Sequence, residues 1–182
     1  MKGVTKHEQR HRDKTLSTSI EWVQSLTELT DKEWRSAIAE GKWSIAEIIA
    51  HFVSWDEFIL HDRLKKCWNE QALPQAPDAH EMNQQSAERA RKEERSETIG
   101  RFISVRTELL QEMKKIEPSR WNEPFFIGQT MLTLLSYFQG LIEHDIHHMK
   151  QITKLLSQTK TSHNQTKNET TKGLGQREFP QK

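Results

Sequence analysis

The amino-acid sequence predicts an all-α fold, a four-helix bundle in one domain, followed by a disordered polar tail at the C-terminus. Four long segments carry apolar residues at steps of three and four, which is the spacing of a helix face that packs on a core. No segment alternates apolar and polar residues in the way a half-buried strand does. Polar or proline-containing loops separate the four segments, so we expect the helices to pack side by side.

Polar segments at both ends set the limits of the predicted domain. Only 34% of the 182 residues are hydrophobic, and the two ends of the chain are the poorest in them. Too few apolar side chains are present there to offset the entropy that is lost on folding. We therefore predict a flexible N-terminus over residues 1–14, a four-helix domain over residues 15–156 and a disordered tail over residues 157–182.

The first helix is predicted by a stripe of apolar residues at helical spacing, which are Leu16, Ile20, Val23, Leu26 and Leu29. Thr30 and Glu33 follow at the spacing of a capping box, in which each side chain bonds the backbone amide of the other residue. They predict a short second helix, and Gly41 belongs to the residue type that commonly follows a helix end.

The second main helix is predicted to begin at another capping box, formed by Ser44 and Glu47. An apolar stripe from Ile45 to Ile59 follows it directly. This stripe has the width of a face that is buried against other helices. We expect the helix to continue to about residue 69.

A loop and a charged segment separate the second main helix from the third. Residues 71–80 contain two prolines and no periodicity, which predicts a loop. Residues 81–97 are good helix formers with almost no apolar face. The pattern is consistent both with an exposed helix that leads into the next one and with a solvated charged segment.

The last two main helices complete the predicted bundle. The apolar stripe returns at Ile99 and predicts a third helix that ends before Pro118. Residues 117–130 are rich in aromatic side chains and are predicted to form a loop. The fourth helix is predicted from about Met131 to Leu156.

Charge and composition argue against several classes of partner. The net charge is +1, and because basic residues are in excess at both ends, the body of the chain is negative. A negative body argues against a nucleic-acid-binding surface. No apolar run approaches the roughly 20 residues of a membrane span, and the N-terminus lacks the apolar stretch of a signal peptide. We therefore expect a cytoplasmic protein, consistent with its single cysteine, Cys67.

Three histidines occur within five positions, in the stretch HDIHH at residues 144–148. At about 100° per residue, His144 and His148 lie one turn apart on the same edge of the apolar stripe, whereas His147 faces the opposite side. A spacing of one turn lets two imidazoles reach one metal ion. Such a pair is common by chance, so a metal site needs a third ligand.

His51 is the best candidate for the third ligand. It lies on the second main helix at the border of the buried stripe, where an imidazole needs a bonding partner. The alternative is a core histidine that bonds a backbone carbonyl. Three neutral imidazoles would leave a coordination position open, which is typical of a catalytic site rather than a structural one.

Three further polar residues are candidates for catalytic roles beside such an ion. Glu47 lies one turn before His51, although it could simply complete the capping box. Asp145 falls in the middle of the apolar face of the fourth helix, where it could bond a ligand histidine, a tryptophan or a backbone amide. Gln151 could bind a water molecule or the substrate, or it could be solvated.

Two segments together resemble the DinB-like family of metal-dependent enzymes, which includes bacillithiol S-transferases. They are GKWSIAEIIAHFVSWDEFI at residues 41–59 and HDIHHMKQI at residues 144–152. The resemblance extends over nearly the whole body of the chain, up to Leu156. The positions that match the pattern of the family are Trp43, Ser44, His51, His144, His148 and Gln151.

This resemblance implies a four-helix bundle of the DinB-like type in which His51, His144 and His148 hold a divalent metal, nickel or zinc. It also implies a homodimer and a small-molecule substrate, which could be a low-molecular-weight thiol. The expected activity is that of a metal-dependent thiol S-transferase or hydrolase acting on a small electrophilic molecule. The alternative is a non-catalytic binding or stress protein whose metal is structural or absent, in which His80 or Glu47 would fill the fourth coordination position.

Overall fold

A computed structural model describes residues 6–64, 66–67, 73 and 75–173 of the chain, and the side chains of residues 6–11, 13 and 160–173 are not described. The elements are α1 (Lys6–Ser25), α2 (Asp31–Trp34), α3 (Ile45–Phe58), α4 (Ala79–Lys92), α5 (Arg95–Lys114), β1 (Pro124–Ile127), β2 (Thr130–Thr133) and α6 (Leu134–Gly173). A π-helical segment, Ile59–Leu64, continues α3. Short 3₁₀ turns cover Leu26–Glu28 and Pro118–Asn122.

Helices α1, α3, α5 and α6 form the predicted four-helix bundle, which the structure confirms. Helix α3 lies at its centre and contacts α4, α5 and α6, whereas α1 packs on α5 and α6. Almost every side chain of the first two turns of α3 is buried. Both predicted capping boxes are present, and the one at Ser44 starts α3 so that its apolar stripe faces the core.

The N-terminal boundary differs from the predicted one. Helix α1 begins at Lys6 rather than near residue 15. Arg12 is buried, and its guanidinium carbon lies 3.8 Å from the centre of the Trp121 ring. The predicted flexible segment therefore includes a packed helical turn, because a long basic side chain can cover apolar surface with its stem and stack on an aromatic ring. Residues 1–5 lie outside the described residues.

Helix α4 occupies most of the segment that was predicted to be either an exposed helix or a solvated charged segment, and it packs along α3. Asp78 caps its first turn through a 2.9 Å bond to the backbone amide of Glu81. Its buried residues are small, namely Ser86, Ala87 and Ala90. Small side chains let two helices approach closely, so a face without large apolar residues is still a packing face. The interpretation of residues 81–97 as a solvated segment is therefore wrong over this helix.

An antiparallel β-hairpin precedes the last helix and was not predicted. Phe125 pairs with Leu132 across its two strands, and Gly128 in the turn has a φ of +57°. The prediction of no strand is wrong here because each strand has only four residues and buries only Phe125 completely, which is too short a pattern to detect. Helix α6 accordingly begins at Leu134, slightly later than predicted.

Helix α6 continues to Gly173, well beyond the predicted end at Leu156. No proline or glycine occurs between these two positions, so nothing in the local sequence breaks the helix. The last residues that pack on the core are Leu155 and Leu156. The disorder predicted for residues 157–182 stays a prediction, because side chains from residue 160 onward and all of residues 174–182 lie outside the described part.

A buried ion network joins the four helices of the bundle. Arg106 of α5 binds Asp56 of α3 through two bonds, of 2.6 Å from Nε and 3.0 Å from Nη2. Its Nη1 donates to Asp145 of α6 at 2.5 Å and to Ser19 of α1 at 3.1 Å. All four side chains are buried. A displacement of any one of these helices would break a buried bond, so the network fixes the relative positions of the helices.

Replacing Arg106 by leucine should destabilise the protein strongly, because two buried carboxylates would lose their counter-charge. We expect the free energy of unfolding to fall by about 3–5 kcal/mol, measured by urea denaturation. The matched control is Arg89→Leu, since Arg89 pairs with Glu93 on the surface and its side chain is 54% exposed. That change should cost less than about 1 kcal/mol, and equal losses in the two variants would contradict a stabilising network.

Candidate metal centre

Three histidines from two helices converge inside the bundle. His51 comes from α3, and His144 and His148 come from successive turns of α6. One ring nitrogen from each lies within 4.8 Å of those of the other two, and the Nε2 atoms of His51 and His144 are 2.9 Å apart. The structure thus brings together the three residues that the sequence singled out as metal ligands. His147 is exposed and lies outside the cluster, as the helix geometry predicts.

Asn83 of α4 fixes the orientation of the His51 ring. Its Oδ1 accepts a 3.0 Å bond from Nε1 of Trp55 and lies 2.9 Å from Nδ1 of His51. An indole nitrogen can only donate, so the amide oxygen of Asn83 must face it, and Nδ1 of His51 carries the hydrogen. The Nε2 of His51 therefore presents its lone pair to the other histidines, as a metal ligand must.

His148 has an outer partner of the same kind. Its Nδ1 donates to Oε1 of Gln151 at 2.9 Å, one turn further along α6. The Nε2 of His148 is then the unprotonated nitrogen. Gln151 was predicted to bind a water molecule or the substrate, or to be solvated, but the structure places it against a histidine of the cluster.

Asp145 lies beside the third histidine and has one carboxylate oxygen without a hydrogen bond. Its Oδ2 accepts from Arg106, whereas its Oδ1 has no hydrogen bond to any described residue and lies 3.6 Å from Nδ1 of His144. Burial acts to raise the pKa of Asp145, but the charge of Arg106 holds it below the ordinary value. Its partner is therefore an arginine, not the tryptophan or backbone amide of the prediction, and the remaining oxygen can accept from His144.

Glu47 and His80 do not belong to the histidine cluster among the described residues. Oε2 of Glu47 accepts bonds of 2.7 and 2.8 Å from the backbone and hydroxyl of Ser44, and its other oxygen pairs with Arg91 at 2.6 Å. His80 lines a separate cavity next to Arg91. Glu47 thus completes the capping box, and the structure gives neither residue a place as a fourth ligand.

The donor set fits a divalent metal. Burial, and then the neighbouring His144, lowers the pKa of His51 to about 4, and burial lowers the pKa of His148 below its ordinary value. These two imidazoles are therefore neutral at neutral pH, which is the state that binds a metal. The ionised Asp145 adds a negative charge beside them. Neutral inward nitrogens with outer hydrogen-bond acceptors are the pattern of histidines that hold zinc or nickel.

A cavity of about 510 Å³ opens beside two of the histidines. It lies between α3, α4 and α6, and its lining consists of His51, Trp55, Ile59, Asn83, Ser136, Tyr137, Gly140, Leu141 and His144. The cavity is of the size that holds small-molecule ligands. No sequence pattern pointed to Asn83, although the small residues that follow it at helical spacing mark the packed face of α4.

Cys67 has the character of a core side chain. It is buried, and its Sγ donates to the carbonyl of Leu64 at 3.2 Å. Burial raises the pKa of the thiol to about 11, so the thiol is protonated at neutral pH. It does not line the cavity beside the histidines.

Comparison with known proteins identifies relatives of this fold. A family model described as the DinB superfamily matches residues 18–152. Among solved structures, YfiT from Bacillus subtilis, described as a probable metal-dependent hydrolase with an unusual four-helix bundle topology, is similar with a TM-score of 0.74. The two chains are 14% identical, and the similarity covers 87% of this chain and 91% of YfiT. The comparison with curated proteins gives no match.

Acidification should destabilise the metal-free protein more than it destabilises a His51→Phe variant. The pKa of His51 is about 4 in the fold and 6.5 in a model peptide, so between these values only the unfolded chain binds the proton. The stability that is present above about pH 6.5 is therefore lost as the pH falls towards 4. We expect the wild type to lose about 3 kcal/mol more than the variant between pH 7 and 4, measured by urea denaturation.

The variant is the necessary reference because another buried group titrates in the same range. Burial raises the pKa of Asp56 to about 6, although Arg106 opposes the rise, and Asp56 is present in both proteins. The difference between the two pH profiles therefore reports His51. Parallel profiles would contradict the buried, neutral state of this imidazole.

Proposed function

The chain belongs to the DinB superfamily, and on that basis we propose that it is a metal-dependent hydrolase acting on a small electrophilic molecule. The residues proposed to hold the metal are His51, His144 and His148. The description of YfiT as a probable metal-dependent hydrolase supports the type of reaction. The observation that carries the proposal is the convergence of three ring nitrogens within 4.8 Å at the wall of an open cavity.

Hydrogen-bond partners orient the three histidines of the proposed metal site. Asn83 and Gln151 hold the outer nitrogens of His51 and His148, so the inner nitrogens are ready to bind without rearrangement. Asp145 is placed to do the same for His144. A divalent ion held there, for which we propose nickel or zinc, would supply Lewis acidity that makes water a stronger acid near neutral pH. The absence of Glu47 and His80 from the cluster supports an open coordination position.

Hydrolysis is favoured over thiol transfer by the lining of the cavity. A charged low-molecular-weight thiol would need a cationic side chain to hold it, and the lining contains no lysine or arginine. The three-histidine site itself suits both reactions, because an acidified thiol and an acidified water molecule are both nucleophiles. We therefore propose hydrolysis ahead of the thiol S-transferase activity that the resemblance implies.

We also propose that the protein is a cytoplasmic homodimer without a nucleic-acid or membrane partner. An apolar groove between α1 and α6, lined by residues that include Trp22, Ile146 and Met149, supports a contact between two copies. Among the described residues, no helix combines the length and the apolar character needed to cross a membrane. Light scattering should give twice the chain mass of 21.5 kDa, and a mass of one chain would contradict the dimer.

The first test of the function is the metal content of protein purified without an affinity tag. We expect about one nickel or zinc ion per chain, measured by plasma mass spectrometry, and its loss in the His144→Ala, His148→Ala double variant. His147→Ala is the matched control, because His147 is an exposed histidine of the same helix and should leave the metal content unchanged.

The outcome separates the enzyme from a non-catalytic bundle. No metal, even after nickel, zinc and manganese have been offered, would overturn the proposal and return the histidines to a structural role. Gln151→Ala should weaken metal binding about ten- to hundredfold, since Gln151 supports His148. Gln139→Ala on the same helix removes only a surface bond to Glu143 and should have no such effect.

A further inference from the structure

A second cavity, of about 280 Å³, runs along helix α4 and shares only Asn83 with the lining of the cavity beside the histidines. Apart from Trp43, all of its lining residues belong to α4. They include the guanidinium of Arg91, the carboxylate of Glu88 and the imidazole of His80. A cavity that offers groups of both charges suits a small ligand that itself carries both charges.

Glu47 holds the guanidinium of Arg91 in a defined position. Oε1 of Glu47 accepts a 2.7 Å bond from Nε of Arg91 and lies 2.6 Å from its Nη2. Glu47 is itself fixed, since its Oε2 accepts from the backbone and hydroxyl of Ser44. These bonds use one edge of the guanidinium, so the edge between Nη1 and Nη2 keeps its donors. The side chain of Arg91 is 61% exposed, and a ligand carboxylate can therefore bind that edge.

Glu88 lies one helical turn before Arg91 but does not pair with it. Opposite charges at this spacing commonly bind each other on a helix. Here Arg91 binds Glu47 instead, and Glu88 has no ion-pair partner among the described residues. Glu88 is exposed and lines the same cavity. Its carboxylate can therefore accept hydrogen bonds from a ligand ammonium group, about 5–6 Å from Arg91 as measured between Cβ atoms.

Trp43 provides the aromatic surface of the second cavity. Its side chain is half-buried, and its ring centre lies 5.1 Å from that of His51, so the indole is held against the bundle. Ala87 is buried and small, which leaves space in the lining. His80 and Gln84, from the earlier turns of α4, add hydrogen-bonding groups. An apolar side chain of a ligand would lose contact with water against the indole, which is favourable.

We propose that the second cavity binds a free α-amino acid with an apolar side chain. Its carboxylate binds the outer edge of Arg91, its ammonium group binds Glu88, and its side chain packs on Trp43. The two charged groups of an α-amino acid are attached to one carbon, which matches two side chains one helical turn apart. A simple anion would be repelled by Glu88 and a simple cation by Arg91. The site contains no candidate metal ligand and does not depend on the proposed hydrolase function.

The experiment measures the binding of three probes with the same aromatic side chain by calorimetry. L-Phenylalanine carries both charges, N-acetyl-L-phenylalanine keeps only the carboxylate, and L-phenylalaninol keeps only the ammonium group. We expect phenylalanine to bind at least about tenfold more tightly than either of the other two. A preference for N-acetylphenylalanine would indicate a simple anion site, and a preference for phenylalaninol a simple cation site. Either preference, or no binding of phenylalanine, would overturn the proposal.

Glu88→Gln tests the ammonium partner, because it removes the charge and keeps the shape of the side chain. Phenylalanine should bind this variant about tenfold more weakly, whereas N-acetylphenylalanine should not bind more weakly. The matched control is Glu81→Gln, since Glu81 is an exposed glutamate of α4 outside the cavity lining. It should leave both affinities unchanged. Equal weakening of phenylalanine in the two variants would contradict a contact with Glu88.

The metal centre needs its own control, because an amino acid can also chelate a divalent ion. The His144→Ala, His148→Ala variant lacks two proposed metal ligands, and neither lines the second cavity. We expect this variant to bind phenylalanine as the wild type does. Binding that is lost in it but retained in Glu88→Gln would indicate chelation and overturn the amino-acid site. Wild-type protein that binds phenylalanine but takes up no metal would overturn the hydrolase function and leave the amino-acid site standing.

Discussion

Two buried carboxylates share one buried guanidinium, and the geometry of the histidine cluster depends on this arrangement. Arg106 has no exposed side-chain surface and binds Asp56 and Asp145 at 2.6 and 2.5 Å. Asp56 lies on α3, the helix of His51, and Asp145 directly follows His144 on α6. Removing a charged partner in such a place is costly because water cannot replace it. The ion network therefore fixes the two helices that carry the ring nitrogens of the cluster.

The same network sets the charge around the histidines. One guanidinium balances one of the two carboxylates, so the other leaves a negative charge beside His144. The ring nitrogens of His51 and His148 are neutral, since burial lowers the pKa of both side chains. A proton binds one ring nitrogen, whereas a divalent ion can bind all three nitrogens and also interacts with the negative charge. The interior of the bundle thus favours a metal ion over a proton.

Features that depend on residues close together in the chain were predictable from the sequence. The bundle follows from helical periodicity, the capping boxes at Thr30 and Ser44 follow from a glutamate three positions later, and the pairing of His144 with His148 follows from the length of one turn. Contacts between distant segments were not predictable. No local pattern around Arg106 indicates that it binds two carboxylates on other helices. Asn83 lies in a charged segment that packs through small residues, so no apolar stripe marks it. The hairpin around Gly128 is too short for its alternation to be read.

Helix α4 links the metal centre to the cavity, and Asn83 is the residue through which it does so. The oxygen of Asn83 sets the hydrogen position on His51, which decides which nitrogen faces the cluster. Because the amide is planar, fixing that oxygen on His51 and Trp55 also fixes the direction of its nitrogen. One side chain therefore orients a candidate metal ligand and lines the cavity beside it. Helix α4 is held on α3 by these bonds, by the pair of Arg91 with Glu47, and by the close packing of small residues such as Ala87 and Ala90, so a shift of α4 along α3 would disturb the candidate metal ligand and the cavity together.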